Sequence, residues 1–363
     1  MVRLNRLKLN NFRCYASLDQ TFNTAITIID GVNGSGKTAL IEAIYWQTTG
    51  RSFRHHKSVD LIRHKQKQLT VFSEYQSIEQ HQIHKLGVSY SKNNKKIIKH
   101  NGQIIRRQTD VAQQFPVIAI DPNAFLWIDH TPSFRRSYLD WLVFHVEPNY
   151  LRIWKQSQKV QQHLNKLLKS SVIDELDLWQ QTYAQLAQHT TILREQVVEQ
   201  IQQRFNKLIK LFLPTVEDVT ITYNKGWLSD DLLQELSNKQ SQHLKQGFIG
   251  IGVNKADLVC LVNGLPAQVV LSRGQKKLIA VIMYLVFIEI FENTHQQPPV
   301  ICIDDIDSEL DDRSLSLLAT YIQQQPRQIF LTTVNANSIK KYFMDCEVFH
   351  VKQNNQNKSE LYS

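Results

Sequence analysis

One glycine-rich stretch near the start of the 363-residue sequence has the residue types and the spacing needed to bind phosphate. It fits the pattern G-x-x-x-x-G-K-[ST], which is that of a phosphate-binding loop. The stretch consists of Gly31, Val32, Asn33, Gly34, Ser35, Gly36, Lys37 and Thr38. In such a loop the backbone N–H groups face a β-phosphate, the lysine bridges the β- and γ-phosphates, and the hydroxyl binds Mg²⁺. The stretch therefore predicts a site for ATP and Mg²⁺, in which Lys37 acts in catalysis and Thr38 binds the metal.

The segments that flank this loop have the patterns of the elements that would hold it in place. Residues 25–29 form an apolar run typical of a buried strand, and residues 38–47 carry apolar side chains on one helical face. Three of the 12 glycines in the chain fall within six consecutive positions of the loop. A strand, a loop and a helix in this order argue against a chance match.

A pair of acidic residues could supply the second half of the same site. The apolar run 300–303 is followed directly by Asp304 and Asp305. In a phosphate-loop ATPase the first such acid holds Mg²⁺ through water, and the second polarises the attacking water. We therefore predict that Asp304 is the metal-side carboxylate and that Asp305 is the general base. The alternative is that the two acids only cap a helix.

A second anion-binding pattern lies at residues 271–275, which open an apolar helix predicted over residues 276–290. A serine hydroxyl, a glycine amide and a helix N-terminus together favour an anion. Because the chain already has one phosphate loop, we infer that Ser272 and Gly274 contact a nucleotide bound to another subunit. Residues 308–311 fit a contact loop across the same interface. On spacing alone, either segment could equally be an ordinary cap.

Positive charge is concentrated in one region of the sequence. The formal net charge is +9, and residues 51–107 contain 13 Lys or Arg against 3 Asp or Glu. The rest of the chain sums to about −1. A basic surface of this kind is what a polyanion requires, because each neutralised phosphate releases counterions. The pattern favours nucleic acid over a merely solvated face.

The remaining composition predicts a cytoplasmic protein without a membrane segment. The four cysteines form no C-x-x-C pair, which argues against a disulfide framework or a zinc site. The first residues contain no apolar signal segment. The longest apolar run, residues 278–288, is too short to span a bilayer and predicts a buried helix.

The patterns along the chain predict four parts. Residues 1–122 are the N-terminal part of an ATPase head and include the basic β region 51–107. Residues 123–214 are an inserted helical lobe, residues 215–352 complete the head, and residues 353–363 are a polar tail that we expect to be frayed.

Several single elements are predicted as well. Residues 3–10 alternate weakly, which is typical of an edge strand, and Asn101-Gly102 indicates a β-hairpin. Residues 149–169 and 175–213 have the periodicity of two long amphipathic helices, separated near residues 170–171.

Taken together, the motifs resemble those of the ABC-type ATPases: a phosphate loop, L-S-x-G-Q, an apolar strand with two acids, and S-x-L-D. Further segments make the resemblance more specific, and in order along the chain they are residues 12–13, 50–54, 135–136, 139–141 and 255–258. With these segments the sequence resembles the RecF family of bacterial DNA repair ATPases over nearly the whole chain.

The resemblance implies a fold, a function and partners. The fold would be an α/β head of the ABC type, with a mixed sheet, an antiparallel β lobe and an inserted α-helical lobe. ATP would close two protomers head to tail on DNA at the single-strand to double-strand junction of a gapped duplex. The clamp would act with RecR, alongside RecO, in loading RecA. It would be a weak DNA-dependent ATPase, since slow hydrolysis releases it.

The resemblance also bears on individual residues. It implies a γ-phosphate sensor at Thr332-Thr333. The chain departs from the family pattern at Cys14, at Asn123 and at Val253-Asn254.

Three other interpretations of the sequence are less favoured. A subunit of an ABC transporter is disfavoured because 235 positions separate Lys37 from Ser272. A protein of the SMC type would need a very long coiled coil, and the 92 residues from 123 to 214 are too few. A binding module with a purely structural ATP site is disfavoured by the intact pair of acids.

Overall fold

The computed structural model describes residues 2–54, 57–77, 82–170, 174–353 and 359–362. The chain divides into two compact units, which are Met1–Phe125 with His295–Ser363, and Leu126–Thr294. The strands are β1 (Val2–Phe12), β2 (Tyr15–Thr21), β3 (Ile26–Asp30), β4 (Gln68–Ser77), β5 (Gln82–Ser91), β6 (Lys96–His100), β7 (Gln103–Ile105), β8 (Val117–Ile120), β9 (Val219–Asn224), β10 (Asp257–Val262), β11 (Leu265–Pro266), β12 (Val300–Ile303), β13 (Ile329–Thr333), β14 (Cys346–Gln353) and β15 (Ser359–Tyr362). The helices are α1 (Lys37–Thr49), α2 (Gln108–Gln114), α3 (Pro132–Val146), α4 (Tyr150–Ser170), α5 (Leu176–Phe212), α6 (Leu232–Asn238), α7 (Gln240–Gln246), α8 (Ala267–Val270), α9 (Arg273–His295), α10 (Ile306–Glu309), α11 (Asp312–Ile322) and α12 (Ala336–Lys340).

The first unit is built on a six-stranded sheet in the order β15-β14-β3-β13-β12-β8. All neighbours pair in parallel except β15, which runs antiparallel to β14. Every residue of β3, β12 and β13 is buried, as expected for strands covered on both faces. Parallel strands end at the same edge of a sheet, so the loop after β3 lies near the ends of β13 and β12.

A second sheet of this unit is antiparallel, in the order β2-β1-β4-β5-β6-β7. Its β6–β7 hairpin turns at Asn101 and Gly102, which both have positive φ, so the predicted hairpin is confirmed. The prediction of an edge strand at residues 3–10 is wrong, because β1 lies between β2 and β4. A register shift between Leu4 and Arg6 interrupts the alternation, which is why the pattern looked weak.

Helix α1 packs against strands of both sheets. Leu40, Ile41 and Ile44 are fully buried in this core. The buried Gln47 donates from Nε2 to the carbonyl oxygens of Val71 and Leu86, at 3.2 and 2.8 Å. These contacts fix the helix that begins with Lys37 and Thr38.

The second unit combines helices with the three-stranded antiparallel sheet β11-β10-β9. Helices α4 and α5 pack against each other, which confirms the two predicted long helices. The break predicted near residues 170–171 includes residue 171, which lies outside the described residues.

Buried Arg194 of α5 donates to the carboxylate of Asp140 at 2.9 Å and to the carbonyl oxygen of Val253 at 2.9 Å. Arg135 of α3 forms a bidentate pair with Asp257 of β10, with both distances 2.8 Å.

Helix α9 is the one helix of the described residues that is long and apolar enough to cross a membrane, judged by length and composition only. It is the core helix of the second unit rather than a membrane span. Tyr138 of α3 stacks on Phe287 of α9 with 3.5 Å between the ring centroids, and Trp141 also stacks on that ring.

Two boundaries differ from those expected from the sequence. Residues 215–294 belong to the second unit, because β9 and β10 pack on α5 and α3, whereas the sequence suggested that they complete the head. The expected frayed tail is wrong for residues 359–362, which form β15 and pair with β14. Residues 354–358 and 363 lie outside the described residues.

Candidate nucleotide-binding site

The predicted phosphate loop occupies the turn between β3 and α1. Gly34 and Gly36 have φ of 80° and 119°, which is the region that only glycine adopts without strain. Gly36 is the residue before the first turn of α1. The backbone N–H groups of that turn are free of helical partners, so the loop and helix present the donors that a phosphate requires.

Lys37 folds back over its own loop. Its ammonium group donates to the carbonyl oxygen of Gly31 at 2.7 Å and to that of Val32 at 3.3 Å. The side chain is only 4% exposed. The loop carbonyls thereby hold the positive charge beside the N-terminus of α1, where a bound phosphate chain would lie.

Asp304 lies directly opposite Thr38. The Thr38 hydroxyl donates to Asp304 Oδ1 at 3.0 Å, and the Thr332 hydroxyl donates to the same oxygen at 2.6 Å. Burial raises the pKa of Asp304 to about 6, and the charge of Asp305 adds to this, while the two hydroxyl hydrogen bonds oppose it. A hydroxyl and a carboxylate are the hard oxygen donors that Mg²⁺ prefers, so the pair fits a magnesium site.

Asp305 is held in an unusual backbone conformation, with φ of 49° and ψ of 46°. Its N–H donates to the Thr332 hydroxyl at 2.8 Å, which fixes this conformation. Its Oδ1 atom is buried and has no hydrogen-bond partner among the described residues. Strained backbone and an unsatisfied carboxylate oxygen are features of functional positions.

One cavity of about 460 Å³ brings these groups together. Besides Lys37, Thr38 and Asp305, it is lined by Arg13, Cys14, Asn33, Gly34, Gly36, Ala39 and Arg54. Arg13, Cys14 and Arg54 were not predicted as site residues. A signal was present for Arg13 and Arg54, because residues 12–13 and 50–54 are among the segments that carry the family resemblance.

The two remaining predicted site residues, Ser272 and Gly274, lie in the second unit at the start of α9. The N–H of Ser272 donates to Gln275 Oε1 at 2.9 Å, and the N–H of Gln275 donates to Ser272 Oγ at 3.4 Å, which together form a capping box. Both predicted residues are exposed, and a methyl group added at Gly274 would meet no atom within 4 Å. This helix start is therefore open to a partner.

Replacement of Asp304 by asparagine is expected to stabilise the nucleotide-free protein while removing a carboxylate that we predict to hold Mg²⁺. Its pKa is raised from the ordinary 3.8 to about 6, so the folded state binds this proton more tightly than the unfolded state. Stability is therefore lost as the pH rises from about 4 to about 6, and at pH 7 the buried carboxylate costs roughly 3 kcal/mol. We expect urea unfolding of Asp304→Asn to show a gain of roughly 1–3 kcal/mol at pH 7 and little gain at pH 4.

The matched control is Asp312→Asn, at an exposed acid of α11. It should change the free energy of unfolding by less than about 0.5 kcal/mol. Equal stability of Asp304→Asn and the parent at pH 7 would contradict the raised pKa.

The fold and the converging loop, lysine and acids define the head of a phosphate-loop ATPase of the ABC and SMC class. The family model described as "RecF/RecN/SMC N terminal domain" matches residues 3–359. The chain is 31% identical over 354 residues to the DNA replication and repair protein RecF of Shewanella loihica, covering 96% of this chain and 98% of that protein. It is 31% identical over 357 residues to the RecF of Cellvibrio japonicus, covering 96% and 97%.

Solved structures support the same class. The structure of the recombination mediator protein RecF-ATP in the RecFOR pathway superposes with a TM-score of 0.87, 24% identity and coverage of 100% of this chain and 98% of that one. An SMC head domain with an extended coiled coil from Pyrococcus furiosus has a TM-score of 0.59 and 15% identity, covering 100% and 96%. The chain belongs to the RecF family of DNA replication and repair proteins. This confirms the predicted fold class and the family to which the sequence pointed.

Proposed function

We propose that this protein is an ATP-gated DNA clamp of recombinational repair, working in the cytoplasm with RecR and RecO in the loading of RecA. ATP with Mg²⁺ would close two copies head to tail on gapped DNA. The observation that carries the proposal is the placement of Lys37, Thr38 and Asp305 on one cavity, with Asp304 bonded to Thr38. It is supported by the exposure of Ser272 and Gly274, which leaves the start of α9 open to a second copy.

Each residue would have a definite task in hydrolysis. The amides of residues 31–38 and the Lys37 ammonium would bind and orient the phosphates, and the Thr38 hydroxyl and Asp304 would hold Mg²⁺, which neutralises charge on the β- and γ-phosphates. Asp305 would accept the proton of the attacking water. Ser272 and Gly274 of the second copy would contact the γ-phosphate from the other side. Slow turnover would then open the clamp.

The basic region provides the surface for DNA. Its exposed cations form no ion pair within the described residues, and they are Arg51, Arg54, Lys57, Lys65, Lys67, Lys85, Lys92, Lys95, Lys99, Arg106 and Arg107. Cations that are not neutralised by neighbouring acids remain available for phosphates. Lys85 and Lys99 lie on strands of the antiparallel sheet, and Lys92 and Lys95 lie on its β5–β6 turn, so these four belong to a folded surface.

Sedimentation with ATP, ADP or no nucleotide, each with and without gapped duplex, tests this function. We expect a dimer only with ATP, and DNA bound by that dimer. Its DNA affinity should fall about 100-fold or more between 50 and 200 mM salt, as expected for four or more phosphate contacts. A monomer with ATP, or an affinity indifferent to salt, would refute the clamp.

A charge-matched pair of variants locates the DNA surface. Lys65→Gln with Lys67→Gln should reduce the salt slope by about two, because each phosphate contact contributes about 0.9. Lys155→Gln with Lys159→Gln removes the same charge from exposed positions of α4 and should leave the slope unchanged. Equal losses in both pairs would show that the basic region is not the DNA surface.

A further inference from the structure

We infer that two hydroxyl groups from distant parts of the chain aim the phosphate-facing amides of the nucleotide loop. Ser359, at the start of β15, and Tyr15, at the start of β2, are thereby positioning residues for phosphate binding. The inference rests on the proposed binding of ATP by residues 31–38, and it adds a role for the carboxyl-terminal strand.

The two hydroxyls bond to successive carbonyl groups of the loop. Ser359 Oγ donates to the carbonyl oxygen of Ser35, and Tyr15 Oη donates to the carbonyl oxygen of Gly36 at 3.2 Å. Ser359 is 1% exposed and Tyr15 is fully buried. The bond from Ser359 is thus buried, and the bond from Tyr15 is partly buried.

Bonds to these carbonyls also set the direction of the next N–H groups. In a planar trans peptide the C=O and the following N–H point in opposite directions. A bond that fixes the Ser35 carbonyl therefore fixes the Gly36 N–H, and one that fixes the Gly36 carbonyl fixes the Lys37 N–H. These N–H groups belong to the loop end that would face a β-phosphate. The two hydroxyls, together with the Leu40 N–H that donates to the Gly36 carbonyl oxygen at 3.3 Å, thereby hold these two peptide planes in one orientation.

Close packing around Gly36 leaves its peptide groups little freedom to rotate. A methyl group added to Gly36 would lie 2.8 Å from Cys14 Sγ and 2.8 Å from Ser359 Oγ. Burial raises the pKa of the Cys14 thiol and of the Tyr15 phenol, so both groups stay protonated near neutral pH. Three side chains, from β2, the turn before it and β15, therefore surround one glycine.

The sheet keeps the serine in register with the loop. Strand β15 pairs with β14, with Ser359 opposite Gln353, and β14 pairs directly with β3, which leads into the loop. The hydroxyl and the carbonyl that it contacts are therefore carried by one continuous sheet, although 324 positions separate them in the sequence. Such a frame holds the amides before a ligand arrives, which lowers the cost of binding.

Nucleotide titration of Ser359→Ala and Tyr15→Phe tests the inference, with Mg-ATP and ADP as probes. Each variant should raise the Kd three- to tenfold, and by the same factor for both nucleotides, because both carry the β-phosphate. The KM for ATP should rise by that factor with kcat unchanged, since binding is lost equally in the ground and transition states. Ser359→Thr retains the hydroxyl and should restore the parent Kd.

Two controls separate positioning from general weakening of the fold. Thr24→Val removes a hydroxyl that donates to the Ile26 carbonyl at the opposite end of β3, and Tyr90→Phe removes the hydroxyl of a half-buried tyrosine that is bonded to Asn94. Both should leave the Kd unchanged. If Ser359→Ala fails to fold, the Kd values of Tyr15→Phe and Ser359→Thr still test the inference. Affinities within twofold of the parent in Tyr15→Phe and Ser359→Ala would overturn the inference, whereas a parent that binds neither nucleotide would overturn the proposed function instead.

Discussion

Asp305→Asn is expected to lower ATP turnover by at least about 100-fold and to leave ATP affinity within about threefold of the parent. Asparagine matches the shape of aspartate and keeps one acceptor oxygen, but it cannot take a proton from the attacking water. The phosphate contacts of the loop and of Lys37 are untouched by the change. The loss should therefore fall on kcat, and the ATP-bound dimer should persist longer on DNA.

Single-turnover hydrolysis together with equilibrium ATP binding measures the two effects separately. The matched control is Asp345→Asn, because Asp345 has φ of 50°, close to the 49° of Asp305, but is exposed at the start of another strand. It makes the same chemical change at a residue with nearly the same φ, and it should retain full turnover. A kcat for Asp305→Asn within tenfold of the parent would remove Asp305 as the base.

Ser272→Arg is expected to abolish the ATP-dependent dimer while the monomer still binds ATP. Ser272 and Gly274 are exposed at the start of α9, with open space around the glycine. An arginine at this position adds bulk and charge to the surface that a second copy must approach. The loop that binds ATP lies in the other unit and keeps all of its own contacts. The variant should therefore lose dimerisation and retain nucleotide binding.

Sedimentation with ATP and titration of ATP should be carried out on the same preparation of the variant. Ser241→Arg, at an exposed position of α7 in the same unit, introduces the same side chain and should dimerise normally. A Ser272→Arg protein that sediments as a dimer with ATP would show that the start of α9 does not lie at an interface.

The parts of the site that are local in sequence could be predicted, because a motif and its flanking elements are read together. The strand, loop and helix around residues 25–49 are of this kind, as are the acids that follow β12. The family resemblance drew attention to residues 12–14, but their place in the cavity lining could not be predicted, because it depends on how the turn between β1 and β2 lies beside α1. The hydrogen bond from Ser359 could not be predicted for the same reason, since it joins distant parts of the chain. Strand β15 was also missed, because its sequence is polar although it pairs with β14.

The same holds for the fold: elements set by neighbouring residues could be predicted, and packing between distant segments could not. Helices α4 and α5 and the β6–β7 hairpin follow from periodicity and from a turn dipeptide, and they lie within two residues of the predicted positions. The assignment of residues 215–294 to the second unit could not be predicted from the sequence. The residue patterns of strands β9 and β10 do not indicate which helices these strands pack against. A bulge of one residue was enough to make a central strand resemble an edge.

The order of strands in the central sheet has a consequence for how the protein is made. Strand β3 leaves the ribosome early, but both of its neighbours, β13 and β14, are translated near the end of the message. The enclosed unit Leu126–Thr294 has its own sheet and helices, and all of it is synthesised before β12. The nascent chain therefore completes the unit Leu126–Thr294 first. The sheet that carries the phosphate loop is completed last, when β13 and β14 have been synthesised. A premature stop codon before residue 346 would leave every residue of the phosphate loop in place with one flank of β3 bare.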